Sequence, residues 1–126
     1  MQTSTEEFAR WLAEEEGSRF EFKEAKTTYH FGELVKYCAA IANEGGGKVI
    51  LGVTDKRPRR VVGSDAFASV ERTKQGLIER LRLRFEVEEF AHPDGRVVIV
   101  HVPPRPIGMP FWLASVAAAT CGLMFA

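Results

Sequence analysis

Four cations occupy five positions in Lys56-Arg57-Pro58-Arg59-Arg60. Charges so crowded repel one another unless anions come among them. Such a run therefore reads either as a solvated turn or as a contact for phosphate. The excess extends beyond the run: residues 56–84 carry nine cations against three acids, a net of +6. The whole chain has 17 Lys and Arg against 17 Asp and Glu, a formal charge of zero. Bulk charge thus gives no sign of a nucleic-acid or membrane partner, and any basic surface is local. For the helical part of the segment the bland reading is mixed pairing, such as Glu71 with Lys74 at i, i+3.

The second stretch with chemical potential is ANEGGGKVILGV, residues 42–53. Its Gly-Lys step invites comparison with a phosphate-cradling P-loop. That loop needs GxxxxGK followed by Ser or Thr, on a strand-to-helix turn. Here Val49 follows Gly47-Lys48, and the first glycine position holds Ala42. The order is reversed as well, since a helical pattern precedes the glycines and a strand pattern follows. The glycines then lie at the negative end of a helix dipole, which does not favour phosphate. Asn43, Gly45 and Gly46 read as a helix C-cap and tight turn. Gly52, inside the strand pattern, reads as a bulge or a close backbone approach.

These residues must be positioned by a mixed α/β arrangement. Ser4 and Glu7 fit a capping box, with Phe8, Trp11 and Leu12 on one helical face and Gly17 as a stop. Residues 19–23 alternate, so that Phe20 and Phe22 face a core while Arg19, Glu21 and Lys23 share the other side. Leu34, Cys38, Ile41 and Ala42 predict a helix over 32–43. Residues 48–53 predict a strand buried on both faces, followed by a charged turn over 55–60 and a short edge strand over 60–63. Val70, Leu77, Ile78 and Leu81 predict a helix over 68–84, with Gly76 against it. Strands over 85–91 and 96–102 flank His92-Pro93-Asp94-Gly95, a hairpin signal. The expected fold is therefore α/β in the mixed α+β sense: a mixed sheet, about three packed helices and a C-terminal β-hairpin.

At 126 residues, 45% hydrophobic and 27% charged, the chain suits one soluble domain. Cys38 and Cys121 have no CxxC spacing, which argues against a disulfide framework or zinc site and for reduced thiols in the cytoplasm. The acidic start has no apolar stretch of signal-peptide type. His30, His92 and His101 do not converge in the pattern. Tyr29, His30 and Phe31 fit either base stacking or core packing.

Two motifs taken together resemble the Schlafen AlbA-like domain. Residues 16–23, EGSRFEFK, are similar to that family's "ES…EFK" opening. Residues 42–53 are similar to its "AN…GG…GV" core, and the spacing, the intervening helix, the later hairpin and the Val102-Pro103-Pro104 exit agree. The resemblance covers about residues 5–110. It implies a mixed α/β domain that binds DNA or RNA, in bacteria usually at the N-terminus of longer proteins that often carry a helix-turn-helix or ATPase module, and here the expected whole is a transcriptional regulator. The expected function is nucleic-acid binding, mainly through the phosphate backbone, with Lys23, Lys36, Arg57, Arg59 and Arg60 as contacts.

Some family members cleave RNA with three carboxylates around a divalent metal. The resemblance carries the first two onto Glu16 and Glu21, which would be the catalytic and metal-binding residues of an endoribonuclease using Mg²⁺ or Mn²⁺. The third position holds Gly45. Two acids are few for metal-assisted hydrolysis, which weighs against an enzyme and against a required cofactor. The remaining alternative is a structural or oligomerisation module, with a homo-oligomer as partner. Residues 1–110 are expected to form the domain. Residues 111–126, FWLASVAAATCGLMFA, depart from the family pattern and read as a truncated or frame-shifted end, in preference to a membrane tail or a packed terminal element. No membrane partner is expected.

Overall fold

The computed structural model describes residues 2–14 and 19–106. Chain order is α1 (Thr5–Leu12), β1 (Phe20–Lys23), α2 (Phe31–Asn43), β2 (Gly47–Leu51), α3 (Val70–Leu81), β3 (Glu86–His92) and β4 (Gly95–Val102). The four strands form one sheet in the order β1-β2-β4-β3. β1 runs parallel to β2, with Phe22 opposite Ile50, and α2 makes the crossover that parallel neighbours require. β4 is antiparallel to both β2 and β3. The mixed sheet with three helices is the architecture the sequence pattern implies.

Helix α1 starts because Ser4 accepts from the Glu7 backbone N–H at 3.1 Å while the Glu7 side chain accepts from Ser4 N at 3.0 Å. This reciprocal box satisfies two backbone donors that a helix start leaves open. Eight residues are too few for a stable isolated helix. Packing holds it: Phe8 is fully buried against Phe90, ring centres 4.8 Å apart.

The sheet has a core on each side. Val49, Leu51, Val98, Val100 and Val102 face α2 and α3, meeting Leu34, Cys38, Ile41, Leu77 and Leu81. Ile50, Val97, Ile99, Phe22 and Phe90 face α1 through Phe8. The central strands β2 and β4 are therefore covered on both faces, which is why their sequences are nearly continuous apolar runs.

Several boundaries differ from the sequence pattern; β2, expected over 48–53, ends at Leu51. The third helix begins after Ser69, whose side chain accepts from Arg72 N, and ends at Arg82, which adopts a left-handed conformation with φ 60°. It is therefore shorter than residues 68–84. The edge strand expected over 60–63 reduces to a single antiparallel bridge between Val53 and Val61, because the chain turns away at Gly63. The hairpin is tighter than the pattern implied. His92 pairs with Gly95, leaving Pro93-Asp94 as the turn, and His92 Nδ1 accepts from Asp94 N at 3.0 Å.

Candidate nucleic-acid interface

The basic run lies just beyond the C-terminal end of β2. Its ends are tied together: Thr54 N donates to Arg60 O at 2.9 Å, and Arg60 N donates to the Thr54 hydroxyl at 2.8 Å. Between these ties the four cations divide. Lys56, Arg57 and Arg60 are exposed and line an open groove of about 500 Å³ with Glu24, Thr54, Asp55 and Pro58. Arg59 turns inward and is only 8% exposed. Its Nη1 donates to the carbonyls of Leu12 and Glu14 at 3.0 and 2.7 Å, and its guanidinium lies 4.1 Å from the centre of the Phe22 ring. Arg57 also reaches the α1 terminus, donating to Ala13 O. The last carbonyls of a helix lack intrahelical donors and carry the negative end of its dipole, so two guanidinium groups are well placed there.

The other sequence-derived cations lie elsewhere. Lys23, on the α2 side of β1, is half-buried. Its ammonium is 4.9 Å from the Tyr37 ring centre and 3.5 Å from a Glu21 carboxylate oxygen. A hydrogen bond with Tyr37 raises its pKa above the usual lysine value, against a smaller opposing effect of burial and with help from Glu21. Lys36 is exposed on α2 and paired with Glu33 at 3.5 Å. Lys23 and Lys36 thus each have partners on β1 or α2.

Glu21 lies opposite Val49 in the sheet. Glu16 falls outside the described residues, as do Gly17, Cys121 and the 111–126 tail. Among the described residues no group of three His, Cys, Asp or Glu side chains is placed to hold a metal ion. No described helix is long and apolar enough to cross a membrane.

The glycine run is a helix-to-strand turn in which each glycine has its own task. Gly45 N donates to Ala42 O and Gly46 N to Ile41 O, the paired bonds of a Schellman cap. Gly45 and Gly46 have φ of 102° and 92°, left-handed values that favour glycine. Gly47 is required by space, since a Cβ there would lie 2.1 Å from the carbonyl oxygen of Arg19 in the neighbouring chain segment. Asn43 is the last residue of α2 and is exposed. Lys48 points to the α1 face, 4.9 Å from the Trp11 ring centre, and burial lowers its pKa. Gly52 has φ 102°, and both Gly52 N and Val53 N donate to Lys23 O, so the strand bends where the loop begins.

With this geometry in place, the chain can be compared with known proteins. The family model Schlafen, AlbA_2 matches residues 16–114. The chain belongs to the Schlafen AlbA_2 family. Two solved structures share the fold of this AlbA_2 domain. The N-terminal domain of an ATP-dependent DNA helicase RecG-related protein from Nitrosomonas europaea is 21% identical, with a TM-score of 0.55, over 87% of this chain and 85% of that one. A Corynebacterium diphtheriae protein is 20% identical, with a TM-score of 0.57, over 78% of this chain. The match spans only 25% of the Corynebacterium chain. No curated protein matches the sequence.

Some residues that organise the AlbA_2 surface have no signature in the sequence. Arg96 donates to the carbonyls of Ser64, Ala66 and Phe67 at 3.0, 2.8 and 2.8 Å and pairs with Glu89. It holds the loop in which Phe67 takes a left-handed φ of 54°. Glu88, buried on β3, accepts from Thr3 N at 2.6 Å and from the Thr3 hydroxyl at 2.7 Å, and lies 2.8 Å from His101 Nε2. The Arg96 contacts to the 64–67 loop and the Thr3 contacts to Glu88 join residues far apart in the chain, so no local pattern marks them.

Proposed function

We propose that this domain binds nucleic acid through the phosphate backbone, with Lys56, Arg57 and Arg60 as its main contacts. The observation that carries the reading is the division of labour in the 54–60 loop. The buried Arg59 fixes the loop against α1, helped by Arg57 at Ala13 O, while Lys56, Arg57 and Arg60 line an open groove. A fixed loop loses little freedom on binding, so its cations reach phosphate at low entropic cost. The groove lies outside the carboxyl ends of the parallel pair β1 and β2, the edge of an α/β sheet where ligands commonly bind. Family membership supports the same class of ligand.

The domain is read as part of a cytoplasmic DNA- or RNA-binding regulator. Phosphate contacts supply affinity with little choice of sequence, so a further module would set specificity. Binding is favoured over metal-assisted cleavage because Glu21 is engaged by Lys23 and position 45 carries no carboxylate.

The test is fluorescence anisotropy with labelled single-stranded DNA, duplex DNA and structured RNA at two salt concentrations. Affinity should fall as salt rises. Arg57→Ala and Arg60→Ala should each weaken binding and reduce the salt slope by about one. Absence of binding at low salt, or variants indistinguishable from wild type, would refute the reading.

A further inference from the structure

The family's nuclease members hold a divalent metal with three carboxylates; of those positions Glu21 and Gly45 are described here, Glu16 is not, and the two described positions do not fit that group. Glu21 and Lys23 project to the same side of β1, and Arg19 immediately precedes the strand. Lys23 is already 3.5 Å from the Glu21 carboxylate. At the third position, a Cβ added to Gly45 would lie 3.1 Å from a guanidinium nitrogen of Arg19. A carboxylate built there would meet a protein cation before it met a metal. The space that an acid would fill is bordered by positive charge.

We propose that this face is a metal-independent phosphate contact, in which Arg19 and Lys23 are the ligands and Glu21 is their counter-charge. Their backbone positions are about 13 Å apart along an extended chain, and the charged groups lie against different neighbours, Arg19 beside position 45 and Lys23 over the Tyr37 ring. They would meet separate phosphates of one strand. The Tyr37 ring holds the Lys23 ammonium in place, and Glu21 balances its charge in the free domain. Arg19 is exposed at the mouth of the glycine turn, where no side chain from position 45 covers it.

The phosphate half of the proposal rests on the nucleic-acid reading above; the metal half stands alone. The experiment therefore has two arms on the full chain. In the first, MnCl₂ is titrated calorimetrically into wild type and Glu21→Gln. No saturable heat that depends on Glu21 is expected. A one-to-one Mn²⁺ site lost in Glu21→Gln overturns the proposal whatever the oligonucleotide results.

In the second arm, labelled single-stranded DNA is titrated in EDTA. Arg19→Ala should weaken binding about fivefold, and Glu21→Gln should tighten it about threefold, because removing an anion from the track lowers repulsion. A neutral Arg19→Ala, or a Glu21→Gln that weakens binding, overturns the proposal. Arg57→Ala and Arg60→Ala run in parallel separate the two failures. If only they weaken binding, the loop reading survives and this one falls. If only Arg19→Ala weakens binding, this one stands and the loop reading falls.

Discussion

The guanidinium of Arg59 stacks 4.1 Å from the centre of the Phe22 ring and caps the end of α1 through Leu12 and Glu14. One side chain thus ties the 54–60 loop, strand β1 and helix α1 together. Its buried Nε has no partner among the described residues, which offsets part of the gain. Arg59→Met keeps the apolar stem and removes the charged donors. It should destabilise the domain by about 2 kcal/mol, read as a lower midpoint in urea. An unchanged midpoint would contradict the clamp. Arg59→Met should also weaken oligonucleotide binding, through loss of loop order rather than of a contact.

Glu88 makes stability depend on acid pH. Burial works to raise its pKa, but the hydrogen bonds from Thr3 and His101 outweigh burial, and the carboxyl ends below its ordinary value of 4.5. A depressed folded-state pKa gives stability that is full above the unfolded value and lost as pH falls through the folded one. Urea midpoints should therefore hold steady near neutrality and fall below about pH 4.5. Glu88→Gln should flatten that decline and cost about 1–3 kcal/mol near pH 7. A Glu88→Gln variant with the wild-type acid profile would assign the dependence to another group.

Gly47 and Gly76 should respond differently to the same substitution. At Gly47 a Cβ would collide with the Arg19 backbone, which also receives the Lys48 N–H at 2.8 Å. Backbone has to move and the β1–β2 pairing suffers. Gly47→Ala should cost about 3 kcal/mol or more. At Gly76 the nearest atom is Cζ of the half-buried Phe31 ring, 2.9 Å away. A ring tip yields more easily, and helix propensity returns about 1 kcal/mol. Gly76→Ala should lie close to wild type in thermal unfolding. Equal losses at both sites would refute the distinction.

Cys38 should be chemically silent in the folded protein. It is fully buried on α2, and burial pushes its thiol pKa up to about 12. The thiolate is the reactive form, so little is present near neutral pH. In a Cys121→Ser background, a chromogenic disulfide reagent should react only as fast as the domain opens, and completely in denaturant. Rapid labelling under native conditions would show that the α2 face of the sheet is accessible.

Much of the fold was legible because its signals are local. The box of Ser4 and Glu7, the apolar stripe of Leu34, Cys38 and Ile41, and the turn at Pro93-Asp94 each lie within a few residues. The two-sided burial of β2 was legible too, since a strand covered on both faces loses the polar alternation that one exposed face would impose. The helix end at Arg82 was not. A left-handed arginine is set by what the following chain must reach, and no residue preference announces it.

The candidate surface divides in the same way. By itself, the sequence determined that the chain has an AlbA_2 pattern, a mixed α+β fold, a helix-to-strand glycine turn and a local excess of cations. Periodicity and turn chemistry are properties of neighbouring residues, so they can be read along the chain. Only the tertiary structure decided which cations face solvent. Arg59 and Arg60 are adjacent and chemically identical, yet one is buried on Phe22 under the end of α1 and the other lines the groove. The same holds for the Arg19 guanidinium beside Gly45 and for the Thr3 contacts to Glu88. These partners are brought together by the packing of α1 and the pairing of β1 with β2, and that is information the local sequence does not carry.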